Sequence, residues 1–234
     1  MNSATNLDVE EARAASQISC PSLLKDFVGF ENVRLSSIYP RGAILFAEGQ
    51  PAEGIYDLCS GRAKVSVSSS EGKKVILFIA QPGDLLGVNS VLNGIPQEVT
   101  VEALDRCRVD FISQTDFMNL LDRNKTACAR VWLTLGKELS EVVDRVRSLL
   151  LSQSSEGKLA RLLLEWSDDF GQPTPQGVRI NHGLTQEEIA QMICASRETV
   201  SRLLTEMKRK EIVEFNGNGI FVRDRERLEL IARL

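Results

Sequence analysis

Seven consecutive residues, Ser196-Arg-Glu-Thr-Val-Ser-Arg202, have the types and spacing of a helix that could recognise the edges of DNA bases. Ser196 is a favourable N-cap, so the residues after it would fill the first helical turns. An Arg can donate two hydrogen bonds to guanine, and a Glu can accept one from the amino group of cytosine. We therefore predict that this helix reads G·C-containing DNA with the following side chains: Arg197, Glu198, Ser201 and Arg202.

The surrounding sequence predicts a winged helix-turn-helix. Behind the reading side chains, an apolar face recurs at helical spacing through Val200, Leu203, Leu204 and Met207. Upstream, Thr185-Gln-Glu-Glu188 is a capping box that opens a short preceding helix, and Cys194-Ala195 forms the turn. Downstream, residues 212–222 hold two apolar stretches around an Asn-Gly repeat, which indicates a hairpin. The predicted DNA-binding residues also include Thr185, Gln186 and Ser196 at the helix starts.

Length and composition are those of an ordinary soluble protein with two modest domains. The 234 residues are 43% hydrophobic and 26% charged. No apolar run approaches the roughly 20 residues that a membrane span needs. Acidic residues stand near the N-terminus, where a signal peptide would be positive: Asp8, Glu10 and Glu11. We therefore expect a cytoplasmic protein with no membrane partner.

The net charge of −4 is divided unevenly along the chain. Residues 1–156 carry 16 basic and 20 acidic side chains, whereas residues 157–234 carry 12 of each. A neutral domain can still meet phosphates through a local basic cluster, and such a cluster lies on the predicted reading helix: Arg197, Arg202, Lys208, Arg209 and Lys210. The last three would also offset the helix dipole at its C-terminus.

The five cysteines are an odd number without a close pair, so we expect reduced thiols and no disulfide framework. Cys59 and Cys107 are best interpreted as buried small hydrophobic residues. Cys20 and Cys194 are candidates for thiol chemistry, the second because it adjoins the predicted reading helix.

Short β-rich runs separated by Gly and Pro turns indicate an antiparallel barrel or jelly roll between about Ser36 and Asp110. The predicted strands lie at residues 43–46, 54–58, 63–67, 74–79 and 99–103. We assign residues 1–28 to a mobile or partly helical N-terminal arm and residues 29–122 to a β-barrel sensor domain.

A long helix is predicted from Thr115 or Asn124 to Ser152, and it carries a coiled-coil repeat. Alternating spacings of four and three connect Cys128, Trp132, Leu135, Leu139, Val142, Val146 and Leu149. We favour a parallel homodimer seam formed by the last six, although a helix folded against its own barrel is the alternative. Residues 123–156 are assigned to this dimerisation helix and a hinge at residues 152–157. Residues 157–234 then form the winged helix-turn-helix DNA-binding domain, which includes a helix at 158–170 and a loop at 171–177.

Barrel, long helix and winged helix-turn-helix in this order resemble the Crp–Fnr family of bacterial transcription regulators. The reading helix is similar to that of the Crp branch, and Glu198, Ser201 and Arg202 also match the Glu-x-x-Ser-Arg pattern of the Fnr branch. The resemblance implies an α+β fold with a cyclic-nucleotide-binding-like barrel. It further implies a homodimer on a palindromic double-stranded DNA site, with RNA polymerase as a further partner. Because of Arg197, we expect TGTGA half-sites in preference to TTGAT.

The expected effector pocket departs from the family pattern. Cyclic-nucleotide binders in this family have a Glu for the ribose and an Arg for the cyclic phosphate, where this chain has Val88 and Gln97. Glu98 replaces a small hydroxyl residue, and a carboxylate there opposes a phosphate. We therefore do not expect ordinary cyclic-AMP binding. The candidate pocket residues are Gly87, Val88, Asn89, Gln97, Glu98 and Asp144.

Several cofactors and functions are disfavoured by missing ligands. Only Cys20 lies near the N-terminus, where the Fnr type needs three of its iron–sulfur cysteines. The single histidine, His182, lies outside the predicted barrel and is best interpreted as a solvated linker residue rather than a haem or metal ligand. We predict no cofactor, no metal and no enzyme; a catalytic jelly roll lacks its histidine cluster.

The remaining effector options are a small acid or other metabolite bound between barrel and long helix, thiol redox control, or none, which would give a constitutive regulator. A ligand-binding or protein-interaction module without DNA reading is the rival function.

Overall fold

The structure is a computed structural model that describes residues 21, 24, 33–151, 154–181, 183–216 and 219–233. It divides into two compact units, the first comprising Met1–Ala63 and Ala80–Leu135, the second Lys64–Ile79 and Gly136–Leu234. The predicted N-terminal arm lies outside the described residues apart from Pro21 and Leu24, and so do Cys20, His182 and two residues of the predicted hinge, 152 and 153.

Strands and helices appear in an order that matches the predicted α+β fold. The strands are β1 (Arg34–Tyr39), β2 (Ile44–Phe46), β3 (Gly54–Ser60), β4 (Ala63–Ser68), β5 (Lys74–Ala80), β6 (Leu85–Leu86), β7 (Thr100–Ala103), β8 (Cys107–Ser113), β9 (Gln172–Thr174), β10 (Gly177–Ile180), β11 (Val213–Asn216) and β12 (Gly219–Val222). The helices are α1 (Val88–Asn93), α2 (Gln114–Arg123), α3 (Lys125–Leu151), α4 (Ser155–Phe170), α5 (Gln186–Ile193), α6 (Arg197–Arg209) and α7 (Arg225–Ala232). None of the described helices is long and apolar enough to cross a membrane.

The first unit is built from antiparallel strands, as predicted. One sheet has the order β1-β8-β3-β6, and β2 pairs with β7. Three aromatic rings from β2, β3 and β8 lie close together at tilted angles, with the ring centroid of Tyr56 4.9 Å from that of Phe46 and 5.1 Å from that of Phe111. On the other side of the sheet, Ile55 and Ile112 join a core that α2 and the start of α3 cover.

Strands β1 and β8 are not among the predicted strands, because a buried charged residue breaks the apolar pattern by which a strand is recognised in the sequence. Asp110 of β8 is fully buried and interrupts the apolar alternation of its strand. Its carboxylate accepts hydrogen bonds from the Arg34 guanidinium and the Ser36 hydroxyl of β1. A buried carboxylate is tolerable when it is paired in this way, and the partners lie more than 70 residues away in sequence.

The predicted long helix is two helices separated at Asn124. The Asn124 side chain accepts hydrogen bonds from the backbone N–H groups of Thr126 and Ala127 at 3.1 and 3.2 Å, as an N-cap does. Each of the two predicted starting points therefore falls at the beginning of a real helix.

The second unit contains the hairpin β4–β5 and a four-stranded sheet of order β11-β12-β10-β9. The predicted loop at 171–177 is wrong at β9, which pairs antiparallel with β10 through Thr174 and Gly177. Two prolines in that segment favoured a loop, but an edge strand tolerates proline. Strand β12 pairs with β11 as the predicted wing hairpin.

The expectation that all thiols are reduced is wrong at Cys59, which is disulfide-bonded. Spacing in sequence does not limit disulfides, because the fold brings distant residues together. Cys107, Cys128 and Cys194 are free thiols. Cys107 is fully buried, as expected, and burial raises the pKa of its thiol.

Candidate nucleic-acid interface

The predicted reading helix is α6, and its start is capped as the sequence indicates. The Ser196 hydroxyl accepts a hydrogen bond from the Thr199 N–H at 3.2 Å. Its apolar face is buried in the second unit through Val200, Leu203, Leu204 and Met207. Arg197, Glu198 and Arg202 lie on the exposed face, and Ser201 is half-buried.

Helix α5 precedes α6 and is held by the predicted capping box. Thr185 Oγ1 accepts from the Glu188 N–H at 3.2 Å, and Glu188 Oε2 accepts from the Thr185 N–H at 2.7 Å. Thr185 and Gln186 at the start of the helix are exposed, whereas Ile189, Ala190 and Ile193 are buried. The turn to α6 passes through Cys194, whose φ of +53° lies in the left-handed region.

The exposed side of α6 and the start of α5 line one open groove. Its lining residues are Gln186, Arg197, Glu198, Ser201, Arg202, Thr205 and Glu206. The structure therefore brings together five predicted DNA-binding residues, and Ser196 caps the helix that carries four of them. Sequence reasoning missed Thr205 and Glu206. Their spacing of three and four from Arg202 would have placed them on the same face.

The charges in this groove are not used for internal pairing. Within the described residues neither Arg197 nor Arg202 forms an ion pair, whereas Arg225 pairs with Asp168 at 2.6 Å elsewhere in the same unit. The pKa of Glu198 lies below its usual value because its own backbone N–H and Ser196 hydrogen-bond the carboxylate. The groove therefore presents two unpaired guanidinium groups beside an ionised carboxylate.

Five of the six candidate effector residues lie near one another at the start of α1. Gly87 caps that helix with a φ of +80°, and Val88 is fully buried behind it. A Cβ atom on Gly87 would lie 3.1 Å from Gln97 Nε2, so the buried Gln97 amide packs directly against Gly87. Asn89 donates a hydrogen bond to the Glu98 carboxylate. Asp144 belongs to the second unit, where it pairs with Arg147 at 3.6 Å.

The predicted seam on α3 is partly exposed to solvent. Trp132 is 77% exposed, Leu139 65% and Val146 47%. Leu135 and Val142 are half-buried, with Leu135 against the core of the first unit, and the side chain of Leu149 lies outside the described residues. Ala127 and Val131, on the other side of the helix, are buried in that core. The core of the first unit thus covers one side of α3 as far as Leu135, and the side chains of Trp132, Leu139 and Val146 are exposed.

Two family models match most of the chain. A cyclic nucleotide-binding domain matches residues 37–124, and a Crp-like helix-turn-helix domain matches residues 157–231. The chain belongs to the Crp–Fnr family. The predicted family and fold class are thereby confirmed. Residues 157–231 form the DNA-binding helix-turn-helix domain of a transcription regulator.

Individual relatives agree with this family membership. The chain is 30% identical to a CRP-like cAMP-activated global transcriptional regulator of Mycobacterium tuberculosis, over 83% of this chain and 87% of the relative. It is 28% identical to the cAMP-activated global transcriptional regulator CRP of Escherichia coli, over 79% and 87%. Among solved structures, a CooA mutant from Carboxydothermus hydrogenoformans has a TM-score of 0.77 at 23% identity, covering 92% of this chain and 98% of that one. FixK2 from Bradyrhizobium japonicum has a TM-score of 0.73 at 22% identity, with 85% and 97% covered.

One half-buried cation of this Crp–Fnr protein was not anticipated from its sequence. Arg145 of α3 donates a hydrogen bond from its Nε to the carbonyl oxygen of Leu77 in β5 at 2.8 Å. Burial lowers the pKa of Arg145, and burial raises the pKa of Glu165 in α4 while the charge of Arg145 opposes that rise. Helical periodicity alone cannot reveal such a contact, because the acceptor is a backbone carbonyl.

Proposed function

We propose that this Crp–Fnr regulator binds palindromic DNA with TGTGA-like half-sites through α6, as a homodimer. The observation that carries the proposal is the pair of exposed guanidinium groups, Arg197 and Arg202, on a capped helix with no internal ion pair among the described residues. An Arg in the major groove can hydrogen-bond guanine O6 and N7 together. Gln186 and Thr185 would approach the flanking phosphates from the start of α5.

The dimer is supported by the uncovered side of α3. Large apolar side chains that stay exposed at a regular helical spacing indicate a surface that a partner covers. A second copy placed along Trp132, Leu139 and Val146 would give two α6 helices related by a two-fold axis. Two related half-sites, and hence a palindrome, follow from that symmetry.

The sensor, in our proposal, does not bind cyclic AMP in the manner expected of the family. Gln97 packs its amide against Gly87, and Glu98 holds a carboxylate beside it. A cyclic phosphate needs a cation or converging amide donors at such a place. An uncharged or cationic metabolite, a redox signal or no effector at all remain as inputs, and the disulfide at Cys59 favours examining the redox signal.

We extend three further family properties to this chain as proposals. The relatives are transcription regulators and not enzymes, so we propose no catalytic activity. RNA polymerase is the proposed protein partner, and the cytoplasm is the proposed location, because DNA and polymerase are there.

Selection of bound sites from random double-stranded DNA tests the proposal. The selection is run with the full chain, with and without cyclic AMP, a metabolite mixture and a thiol reductant. We expect enrichment of a TGTGA palindrome and no change in yield with cyclic AMP. Binding that is weak, independent of sequence and insensitive to salt would instead support a module in which the helix-turn-helix only packs.

Measuring DNA binding with and without a thiol reductant distinguishes redox control from the other possible inputs. Cys59→Ser removes the disulfide without adding bulk, and Cys107→Ser is the control at a buried free thiol. If redox control operates, reductant changes DNA affinity of the native chain and not of Cys59→Ser.

A further inference from the structure

Lys64 of β4 is a nearly buried lysine in an ion pair with the helix-turn-helix. Its Nζ lies 2.6 Å from Glu188 Oε1 at the start of α5. Lys64 is 7% exposed, and lysines are rarely buried so far unless they are paired. Both residues belong to the second unit, although β4 lies in the stretch matched by the cyclic nucleotide-binding domain.

Glu188 uses its two oxygens for two different purposes. Oε2 accepts from the backbone N–H and the hydroxyl of Thr185 and so closes the capping box, at 2.7 and 3.0 Å. Oε1 is taken by Lys64. Burial alone would raise the pKa of Glu188, but the hydrogen bonds from Lys64 and Thr185 outweigh it, and the pKa lies below its usual value. The carboxylate is therefore charged at neutral pH, and Lys64 is its counter-ion.

The charge of α5 explains why that counter-ion matters. The helix sequence Gln-Glu-Glu-Ile-Ala-Gln-Met-Ile has two carboxylates, Glu187 and Glu188, in its first turn and no basic residue. The first turn is also the part that would approach a DNA phosphate. A carboxylate there repels the phosphate, and Lys64, held against Glu188, cancels the repulsion from that one of the two carboxylates.

We propose that Lys64 is a positioning residue for DNA binding: it neutralises Glu188 and thereby makes the start of α5 acceptable to the phosphate backbone. This inference rests on the proposed function. Because Lys64 is held by β4 and not by the helix-turn-helix itself, a shift of the β4–β5 hairpin would withdraw the ammonium group. DNA affinity then depends on where a strand of the sensor sequence lies, with no change in the base-reading residues.

A double-mutant cycle with Lys64→Met and Glu188→Gln tests this assignment. Methionine keeps the length and apolar stem of the lysine, and glutamine keeps the capping box while removing the charge. We expect Lys64→Met to weaken binding to the selected palindrome roughly three- to eightfold at 0.1 M salt, with a slope of log K against log salt smaller by up to about 0.9. Lys64→Met combined with Glu188→Gln should return to near the native affinity.

Matched controls separate charge from folding. Lys73→Met removes an exposed lysine from the same hairpin and should leave the affinity and slope unchanged. Lys64→Arg keeps the positive charge and should bind DNA with near-native affinity, unlike Lys64→Met. Thermal unfolding of every variant by circular dichroism checks that the fold is intact.

Three results would overturn the inference. Unchanged affinity in Lys64→Met removes its basis, and tighter binding would mean that the hairpin restrains the helix-turn-helix instead. Failure of Glu188→Gln to rescue Lys64→Met would assign Lys64 a merely structural role. Arg202→Ala is measured in parallel: if the native chain does not bind DNA, or Arg202→Ala binds as the native chain does, the proposed function itself fails.

Discussion

The polar side chains of two sites in this protein differ in exposure and in hydrogen bonding. In the groove along α6, Arg197 and Arg202 are exposed and form no ion pair among the described residues. Near the start of α1, Asn89 and Glu98 hydrogen-bond each other and Gln97 is buried against Gly87.

The charged side chains along α6 are available to a polar partner, whereas near α1 Asn89 and Glu98 already bind each other, and among the described residues only the buried Gln97 Oε1 of that site has no hydrogen-bond partner. An unpaired, solvated guanidinium gives up only water when it meets a base or a phosphate. A hydrogen-bonded Asn–Glu pair must be broken, or accommodated, before a ligand can use the same atoms. In the function proposed above, the DNA-reading groove is therefore open to its partner, whereas the effector site departs from the family pattern.

We expect the largest change in DNA affinity when dimerisation through α3 is disrupted. Leu139→Glu places a charge in the exposed seam, so we expect a monomer in analytical ultracentrifugation. Losing the second half-site contact should weaken palindrome binding by about a hundredfold or more. Lys137→Glu places a carboxylate on the outer side of the same helix and removes the ion pair with Glu141, and this variant should remain a dimer. A dimeric Leu139→Glu variant would show that the seam lies elsewhere.

The reading residues come next in expected effect. Arg202→Ala should cost about 1–3 kcal/mol of binding free energy and relax preference at one base pair, with unfolding unchanged because the side chain is exposed. Gel-shift titrations against the palindrome and single-base variants measure this. Arg209→Ala, at the far end of α6, should weaken binding uniformly across sequences. Equal loss of sequence preference in both variants would contradict the assignment.

The altered input site predicts a gain of binding when the missing cation is supplied. Gln97→Arg with Glu98→Ser provides a charge-assisted partner for a phosphate and should bind cyclic AMP roughly 10- to 100-fold more tightly than the native chain, since such bonds contribute about 1.5–3 kcal/mol. Calorimetric titration measures it, with Glu98→Ser alone as the control. Micromolar binding of cyclic AMP by the native chain would remove the contrast between the two sites.

A paired surface charge in the second unit gives the smallest effect. Asp168→Asn breaks the contact with Arg225 and should cost under about 1 kcal/mol of folding stability, because both side chains are substantially exposed. The hydrogen bond from Arg225 holds the pKa of Asp168 below its usual value, so its contribution is present above that usual value and is lost as pH falls through the lowered pKa. Chemical denaturation at neutral and acidic pH should show the difference shrink, while DNA affinity at neutral pH stays unchanged.

The helix-turn-helix was predictable because its signals are local. The Ser196 hydroxyl caps α6 by accepting a hydrogen bond from the N–H of Thr199, three residues later. Thr185 and Glu188 form their capping box within one helical turn. Each signal lies within four residues of its partner. The exposed position of the reading side chains follows from the same periodicity.

The features that escaped prediction depend on partners far away in sequence. Strand β8 was not predicted because it contains the charged residue Asp110, whose partner Arg34 lies in β1. Lys64 forms an ion pair with Glu188, which lies 124 residues further along the chain. The contact of Arg145 with the Leu77 carbonyl is of the same kind. Helix α1 was missed for another reason, since six residues between two glycines carry too little periodicity.

The uncovered side of α3 also gives the protein a built-in optical reporter. The chain has two tryptophans, and they lie in opposite environments: Trp132 is exposed on α3, whereas Trp166 is 4% exposed and stacks near Phe170 in α4. Acrylamide should quench the emission of Trp132 in a lone chain and lose access to it when a second chain covers the helix. Emission from Trp166 should change only when the second unit unfolds, so one spectrum can distinguish dissociation from unfolding without an added label.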